Sequence, residues 1–219
     1  MIIAIDGPAA AGKGTLGRRL AEYFGFAYLD TGKLYRSIGF KILQADGNLD
    51  DPLQALDAAN SLKPEDLNYP AITGDEAAAA ASKIAGFEST RAALRHFQRD
   101  FAANPPGGAI GAILDGRDIG TVICPDADIK IFITADLETR AKRRHKELLE
   151  RGEPSIYARV LRGMSDRDTR DLARTVAPLI PADDAYLLDT ASLDADAAFA
   201  SVIEYIDAQS VSKASDKTV

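Results

Sequence analysis

The run GPAAAGKGT, Gly7 to Thr15, follows the apolar stretch Ile2 to Ile5 and a single acid, Asp6. It fits G-x-x-x-x-G-K at Gly7, Gly12 and Lys13. Glycines in such a turn let the backbone curl until successive N–H groups point inward at phosphate oxygens, and the helix that follows adds its partial positive charge. Pro8, Ala9, Ala10 and Ala11 fill the turn, and Lys13 is expected to reach the β and γ phosphates of a nucleoside triphosphate. A plain tight turn between strand and helix also uses glycine, but seldom both glycines together with the lysine and a threonine. Gly14 follows the lysine, so the hydroxyl comes one place later than usual, at Thr15. Mg²⁺ is therefore expected to be held by phosphates and waters, with Thr15 and Asp115 as candidates for contact through water and no direct protein ligand assigned.

Three further groups could serve a second, anionic substrate. LDTGKLYR, Leu29 to Arg36, places Thr31, Tyr35 and Arg36 just after an apolar run, and DGRDIGTV, Asp115 to Val122, places Arg117 and Asp118 after another. Taken alone, Thr31 reads equally well as an ordinary helix cap and Arg36 as solvated surface. Between Arg140 and Arg174 stand eleven Lys and Arg against six Asp and Glu, in a chain whose net charge is -7. Arg140, Arg143 and Arg144 share one helical face by spacing, and Arg167, Asp171 and Arg174 recur at i, i+4, i+7, with RGEPS breaking the chain between. Exposed ion pairs would explain many such runs. They explain poorly why arginine outnumbers lysine, whereas bidentate binding of phosphate favours the planar guanidinium.

These groups need a scaffold that brings them to one edge. Ile2 to Ile5, Phe26 to Asp30, Ala109 to Asp115, Asp128 to Thr134 and Ala185 to Asp189 read as short buried strands separated by helical stretches. That order implies a three-layer α/β fold, a five-stranded parallel sheet flanked by helices with right-handed crossovers, and ligands gather at the carboxyl ends of such strands. A helix from Lys13, a helix after Thr31 with Leu34, Ile38 and Ile42 on one face, and a last helix of about 14 residues from Asp194 are expected. Asp50 to Gly86 reads as an insertion with a short helix, a turn-rich stretch from Leu62 to Gly74 and an alanine-rich helix; the tail from residue 211 reads as frayed.

Bulk composition narrows the classes. At 219 residues one domain is the default. No apolar stretch approaches the roughly 20 residues of a bilayer span, and MIIAIDG has no secretory pattern. Cys124 is the single cysteine, which leaves no intrachain disulfide and suits a reducing compartment. An acidic chain argues against non-specific attachment to nucleic acid or anionic membrane. A cytoplasmic monomer acting on small molecules is the expectation.

In order and near-spacing, GPAAAGKGT, LDTGKLYR, DGRDIGTVICPDADIKIFI, RAKRR and SDRDTRDLARTVAPLIPADDAYLLDT resemble the bacterial cytidylate kinases, a P-loop nucleoside monophosphate kinase family. The resemblance is weakest between Asp46 and Thr73, where the insertion is shorter than in many relatives; Lys33 stands where a small residue is usual and Thr73 where arginine is frequent. It implies a P-loop NTPase-type core, 1–45, 88–139 and 171–210, an acceptor-binding insertion about 46–87 and an arginine-bearing lid about 140–170. It implies that Gly7 to Thr15 bind ATP and that Thr31, Tyr35, Arg36, Arg117 and Arg174 line the phosphate and sugar of CMP. Ser82, Arg91 and Asp118 would read cytosine, Arg167 and Asp171 would face the nucleoside, and Arg140, Arg143 and Arg144 would belong to the lid.

The reaction implied is transfer of the γ-phosphoryl group of ATP to CMP, and to dCMP, giving ADP and the diphosphate. Lys13, Arg117, Arg174, Arg140, Arg143 and Arg144 would neutralise the transferring group, and His96 and His145 would be structural or exposed. Two alternatives stay open: a kinase for another small acceptor, such as UMP, AMP, shikimate or dephospho-coenzyme A, and a regulatory nucleotide-dependent ATPase without an acceptor.

Overall fold

The structure is a computed structural model that describes the backbone of residues 1–215 and the side chains of residues 1–209. Five strands form one sheet: β1 (Ile2–Asp6), β2 (Ala27–Asp30), β3 (Ala112–Gly116), β4 (Ile129–Thr134) and β5 (Tyr186–Asp189). Their order is β2-β3-β1-β4-β5 and every pairing is parallel. The central strand β1 is covered on both faces, which is why its sequence is apolar without alternation. Ile3 and Ile5 pack on one side with Leu16 and Leu20 of α1 (Lys13–Phe24) and with Val202 and Ile206 of α8 (Ala195–Ser215). Ala4 and Leu114 face the other side, against Ile119, Ile123 and Ala102.

The remaining helices are α2 (Thr31–Gln44), α3 (Pro52–Asn60), α4 (Asp75–Ile84), α5 (Glu88–Ala103), α6 (Leu137–Glu150) and α7 (Tyr157–Ala173). The insertion packs α3 and α4 onto α2, where Leu34, Ile38 and Ile42 meet Ala55, Ala59, Ala81 and Ile84. The turn-rich stretch folds as two 3₁₀ turns, Pro64–Asn68 and Pro70–Thr73, each opened by a proline whose missing N–H costs nothing there. Helices α6 and α7 bury their own small core of Ala141, Leu148, Val160 and Met164, and Gly152, with φ of 75°, reverses the chain between them.

Three expectations are corrected. The third strand begins at Ala112, not Ala109, because a 3₁₀ turn at Pro106–Gly108 delays entry into the sheet. The last helix has 21 residues, not about 14, since no glycine or proline interrupts it before Ser215. The expected frayed tail is therefore helical backbone to Ser215, and residues 216–219 lie outside the described residues. The sequence also gave no sign of the π-helical turn at Ile119–Ile123, directly after Asp118.

Candidate active site

All five strands run the same way, so the loops after β1, β2 and β3 collect at one edge. In the first of them Gly7 has φ of 144°, and a Cβ there would lie 2.0 Å from the Ile133 carbonyl oxygen. Gly12, with φ of 102°, caps α1. Only glycine suits either place. The curled loop buries Lys13, whose ammonium donates to the Pro8 carbonyl at 2.8 Å. Burial, then the like charge of Arg117, pushes the Lys13 pKa down to about 7, against the opposite pull of Asp115.

Asp115, one residue before the end of β3, lies opposite Ile5 of β1 and Asp30 of β2. It is buried, and the Tyr28 hydroxyl donates to its Oδ2 at 2.5 Å. Burial and the neighbouring Asp30 raise its pKa, while Lys13, the Tyr28 hydrogen bond and Arg117 hold it down. Thr15, by contrast, is exposed and lines a separate cavity with Ala11, Gly12, Leu16, Arg143 and Thr190. Of the two candidates for metal-water contact, Thr15 lines that cavity and Asp115 does not. Among the described residues no group of three or more His, Cys, Asp or Glu could cage a metal ion. A lone buried carboxylate beside the phosphate loop does suit a Mg²⁺ that keeps its waters.

A second cleft lies between α2, α4, α7 and the loop after β3. Nine of the ten residues expected to bind the acceptor line it: Thr31, Tyr35, Ser82, Arg91, Arg117, Asp118, Arg167, Asp171 and Arg174. The tenth, Arg36, donates to Asp30 at 2.8 Å one turn along α2. Thr31 does more than begin its helix: its hydroxyl donates to the Asp115 carbonyl at 2.7 Å, while Asp30 is the cap, accepting from Lys33 N–H at 3.2 Å. Lys33 itself is exposed.

Charge in this cleft is unbalanced. Asp171 carries Arg117, Arg167 and Arg174 at 3.3, 3.7 and 3.4 Å, and Ser82 donates to it at 3.2 Å. Burial alone would raise the Asp171 carboxyl, but the three guanidinium groups hold it below the usual carboxylate range. Arg167 in turn is pushed down to about 9 by burial and by Arg117. Three cations on one anion leave a surplus of positive charge, and Arg36 Nε, Arg167 Nε and Arg174 Nη2 are buried donors without a hydrogen-bond partner. Such a cleft is electrostatically suited to an anion. At its far end the buried Arg91 pairs with Asp118 and donates to the Ala85 carbonyl at 3.2 Å. That pair offers donors and an acceptor edge to edge, while the Ser82 oxygen keeps lone pairs to accept.

Arg140, Arg143 and Arg144, expected on the lid, all stand on α6 and reach different partners. Arg140 is buried, donating to Ala135 O at 2.8 Å, to Ala9 O of the phosphate loop at 3.3 Å and to Asp168 at 2.6 Å. Arg143 reaches the Thr190 hydroxyl at 3.0 Å and its carbonyl. Arg144 is tied to Asp75 at 2.6 Å and to Thr73 O at 3.1 Å. Long side chains at i, i+3 and i+4 fan out over about 100° of helix surface, which lets three residues of one face reach three different segments.

Sequence reasoning also missed Asp6 and Thr190. Asp6 accepts from Ile119 N–H at 2.8 Å and Gly120 N–H at 2.7 Å, fixing the π-helical turn beside Asp118; burial raises its pKa to about 7. An acid ending an apolar strand was the signal available. Thr190 follows β5 and donates to Ala11 O at 2.9 Å, closing the cavity beside Thr15; nothing in its local sequence marked it.

The cytidylate kinase family model matches residues 3–208. A cytidylate kinase of Paramagnetospirillum magneticum is 58% identical over 205 residues, covering 94% of this chain and 97% of the relative. Those of Xanthobacter autotrophicus and Rhodospirillum rubrum are 52% and 50% identical, over 95% and 94% of this chain and 98% and 97% of theirs. Among solved structures, an uncharacterized protein from Eubacterium ventriosum superposes with a TM-score of 0.53 at 20% identity, covering 94% of this chain and 98% of its own, a likeness of fold.

Proposed function

The chain belongs to the cytidylate kinase family, and we propose that it transfers the γ-phosphoryl group of ATP to the 5′-phosphate of CMP, and of dCMP, releasing ADP and the diphosphate. The observation that carries this reading is the surplus of guanidinium charge around Asp171, one loop away from the phosphate-binding turn and beside the buried Arg91–Asp118 pair. The turn takes the triphosphate; the arginine cleft takes the monophosphate; the Arg91–Asp118 pair, with Ser82, reads the cytosine amine, ring nitrogen and carbonyl. The cavity lined by Thr15, Arg143 and Thr190 holds the donor nucleoside.

The acceptor phosphate is already an anion near neutrality, so its oxygen attacks the γ phosphorus without a strong general base. The remaining difficulty is mutual repulsion between two polyanions and the loose, charge-dispersed transition state. Lys13 spans the β and γ phosphates, Arg117 and Arg174 face the junction, and Arg140 braces Ala9 of the loop from behind. When bound, Mg²⁺ adds charge neutralisation on the donor phosphates, with Asp115 on its water shell. The lid, formed by α6, α7 and their connection, excludes water and so limits idle hydrolysis. We place the enzyme in the cytoplasm as a monomer. No helix of the described residues is long and apolar enough to cross a membrane.

The test is an acceptor panel: the full chain with ATP and Mg²⁺, offered CMP, dCMP, UMP, AMP or shikimate, with ADP release followed by a coupled assay. CMP and dCMP should support turnover far above the rest. Preference for another acceptor would overturn the substrate assignment, and slow hydrolysis indifferent to every acceptor would point to a regulatory ATPase.

A further inference from the structure

A P-loop ordinarily carries a serine or threonine directly after its lysine, and that hydroxyl binds the metal. Here the residue is Gly14, and Thr15 faces away toward the donor-nucleoside cavity. The space beside Gly14 nonetheless holds a hydroxyl next to the movable Arg18 guanidinium. A Cβ built on Gly14 would lie 3.2 Å from Arg18 Nη1 and 3.5 Å from the Tyr28 hydroxyl oxygen, the latter an ordinary contact distance. Gly17, one turn further along α1, is what lets the ring come so close, since a Cβ there would lie 2.7 Å from Tyr28 Cε2. From this seat Tyr28 donates to Asp115 Oδ2 at 2.5 Å, the one hydrogen bond the Asp115 carboxylate receives among the described residues. One of its two oxygens is thereby fixed and acceptor capacity remains on the other.

We propose that Tyr28 is a positioning residue for the divalent cation of the donor nucleotide: its hydroxyl stands in for the missing P-loop hydroxyl and orients Asp115 toward the cation's bound water. The inference rests on the reading of Gly7 to Thr15 as the ATP site. The second strand therefore supplies, across α1, what the loop lacks. Groups that orient a metal's surroundings are worth roughly 10- to 100-fold in metal affinity. The Tyr28 phenol remains protonated and acts only as a donor, because burial and the adjacent Asp115 charge both raise its pKa.

The experiment measures Mn²⁺ binding, by electron paramagnetic resonance and by calorimetry, to the full chain saturated with the non-hydrolysable β,γ-imido analogue of ATP. Tyr28→Phe should weaken Mn²⁺ by roughly 10-fold or more while leaving metal-free analogue binding nearly unchanged. Adding Gly14→Ser to Tyr28→Phe should recover much of the loss. The new side chain meets only the movable end of Arg18 at 3.2 Å and the place vacated by the hydroxyl. Thermal melting of each variant separates this from a packing defect, since a fall in melting temperature with Mn²⁺ affinity intact would overturn the proposal. So would a double variant no better than Tyr28→Phe. If the wild-type chain does not bind the analogue at all, the ATP-site reading fails first; if it binds and Tyr28→Phe matches it for Mn²⁺, only the role of Tyr28 fails.

Discussion

Lys13 is the residue on which the electrostatics turn, because burying its charge is costly without an anion beside it. With a pKa of about 7 the folded chain gives up its Lys13 proton well before the unfolded chain, whose lysine titrates at 10.5. Between those values the unfolded state binds more protons, so this group's contribution to stability rises with pH across that window, and its cost is fully present below about 7. On the proposed reading, a phosphate bound there would reverse the shift by favouring the charged form. Binding of the ATP analogue at about pH 8 should therefore take up a fraction of a proton, visible as a dependence of binding heat on buffer ionisation, and analogue affinity should decline above about pH 7. Lys13→Met should abolish both effects; equal heats in all buffers for the native chain would contradict the assignment. On the acceptor side, Arg174→Ala should lower turnover by roughly 10², the scale for losing a preorganised electrostatic contact. Arg174→Lys should restore little of it, since a lysine cannot reproduce the fork. Steady-state rates near those of the native enzyme in either variant would remove Arg174 from the transition state.

At the level of elements, the alanine-rich α4 has a geometric reason. A Cβ on Gly39 of α2 would lie 2.7 Å from the Ala80 Cβ, so the two helices meet almost backbone to backbone. This contact sets the distance between Tyr35 and Arg36 on α2 and Ser82 on α4. Gly39→Val should cost about 1–3 kcal/mol by overpacking, more than the roughly 0.3–0.5 kcal/mol gained in helix propensity, and should raise the KM for CMP more than that for ATP. Urea unfolding and acceptor titration check both; unchanged values would mean the pair tolerates separation. Ordered helix in DEAAAAASKI was legible from its N-terminal acids and helical spacing, and the parallel sheet from its unbroken apolar runs, because local pattern decides both. Destinations of side chains were not. Arg140, Arg143 and Arg144 lie on one stretch of α6 yet end on Asp168, Thr190 and Asp75, three segments far apart in sequence. The pairing of Tyr28 with Asp115 likewise depends on β2 and β3 being neighbours, which spacing along the chain cannot report.

Across the whole molecule, one helix connects the arginine cleft to the glycine-rich loop. Arg167 and Asp171 of α7 face the acceptor cleft, while Asp168 between them holds Arg140, which donates to the phosphate-loop carbonyl of Ala9. Any shift of α7 when an acceptor pulls Arg117, Arg167 and Arg174 from Asp171 is thus felt at the donor loop. Arg144 and Arg151, both donating to Thr73 O, tie the same helical pair to the insertion. The expected consequence is positive coupling between the nucleotides: CMP should tighten the ATP analogue by a factor in the range of about 5 to 150, and by linkage the analogue should tighten CMP equally. Asp168 lines neither cleft. Asp168→Asn keeps its size but weakens the grip on Arg140, and should cut the coupling by about 0.5–2 kcal/mol while leaving CMP affinity alone nearly intact. Calorimetric titration of each nucleotide with and without the other measures all four affinities of that cycle. If the coupling factor of Asp168→Asn equals that of the native chain, α7 does not join the sites, and the two pockets answer to their ligands independently.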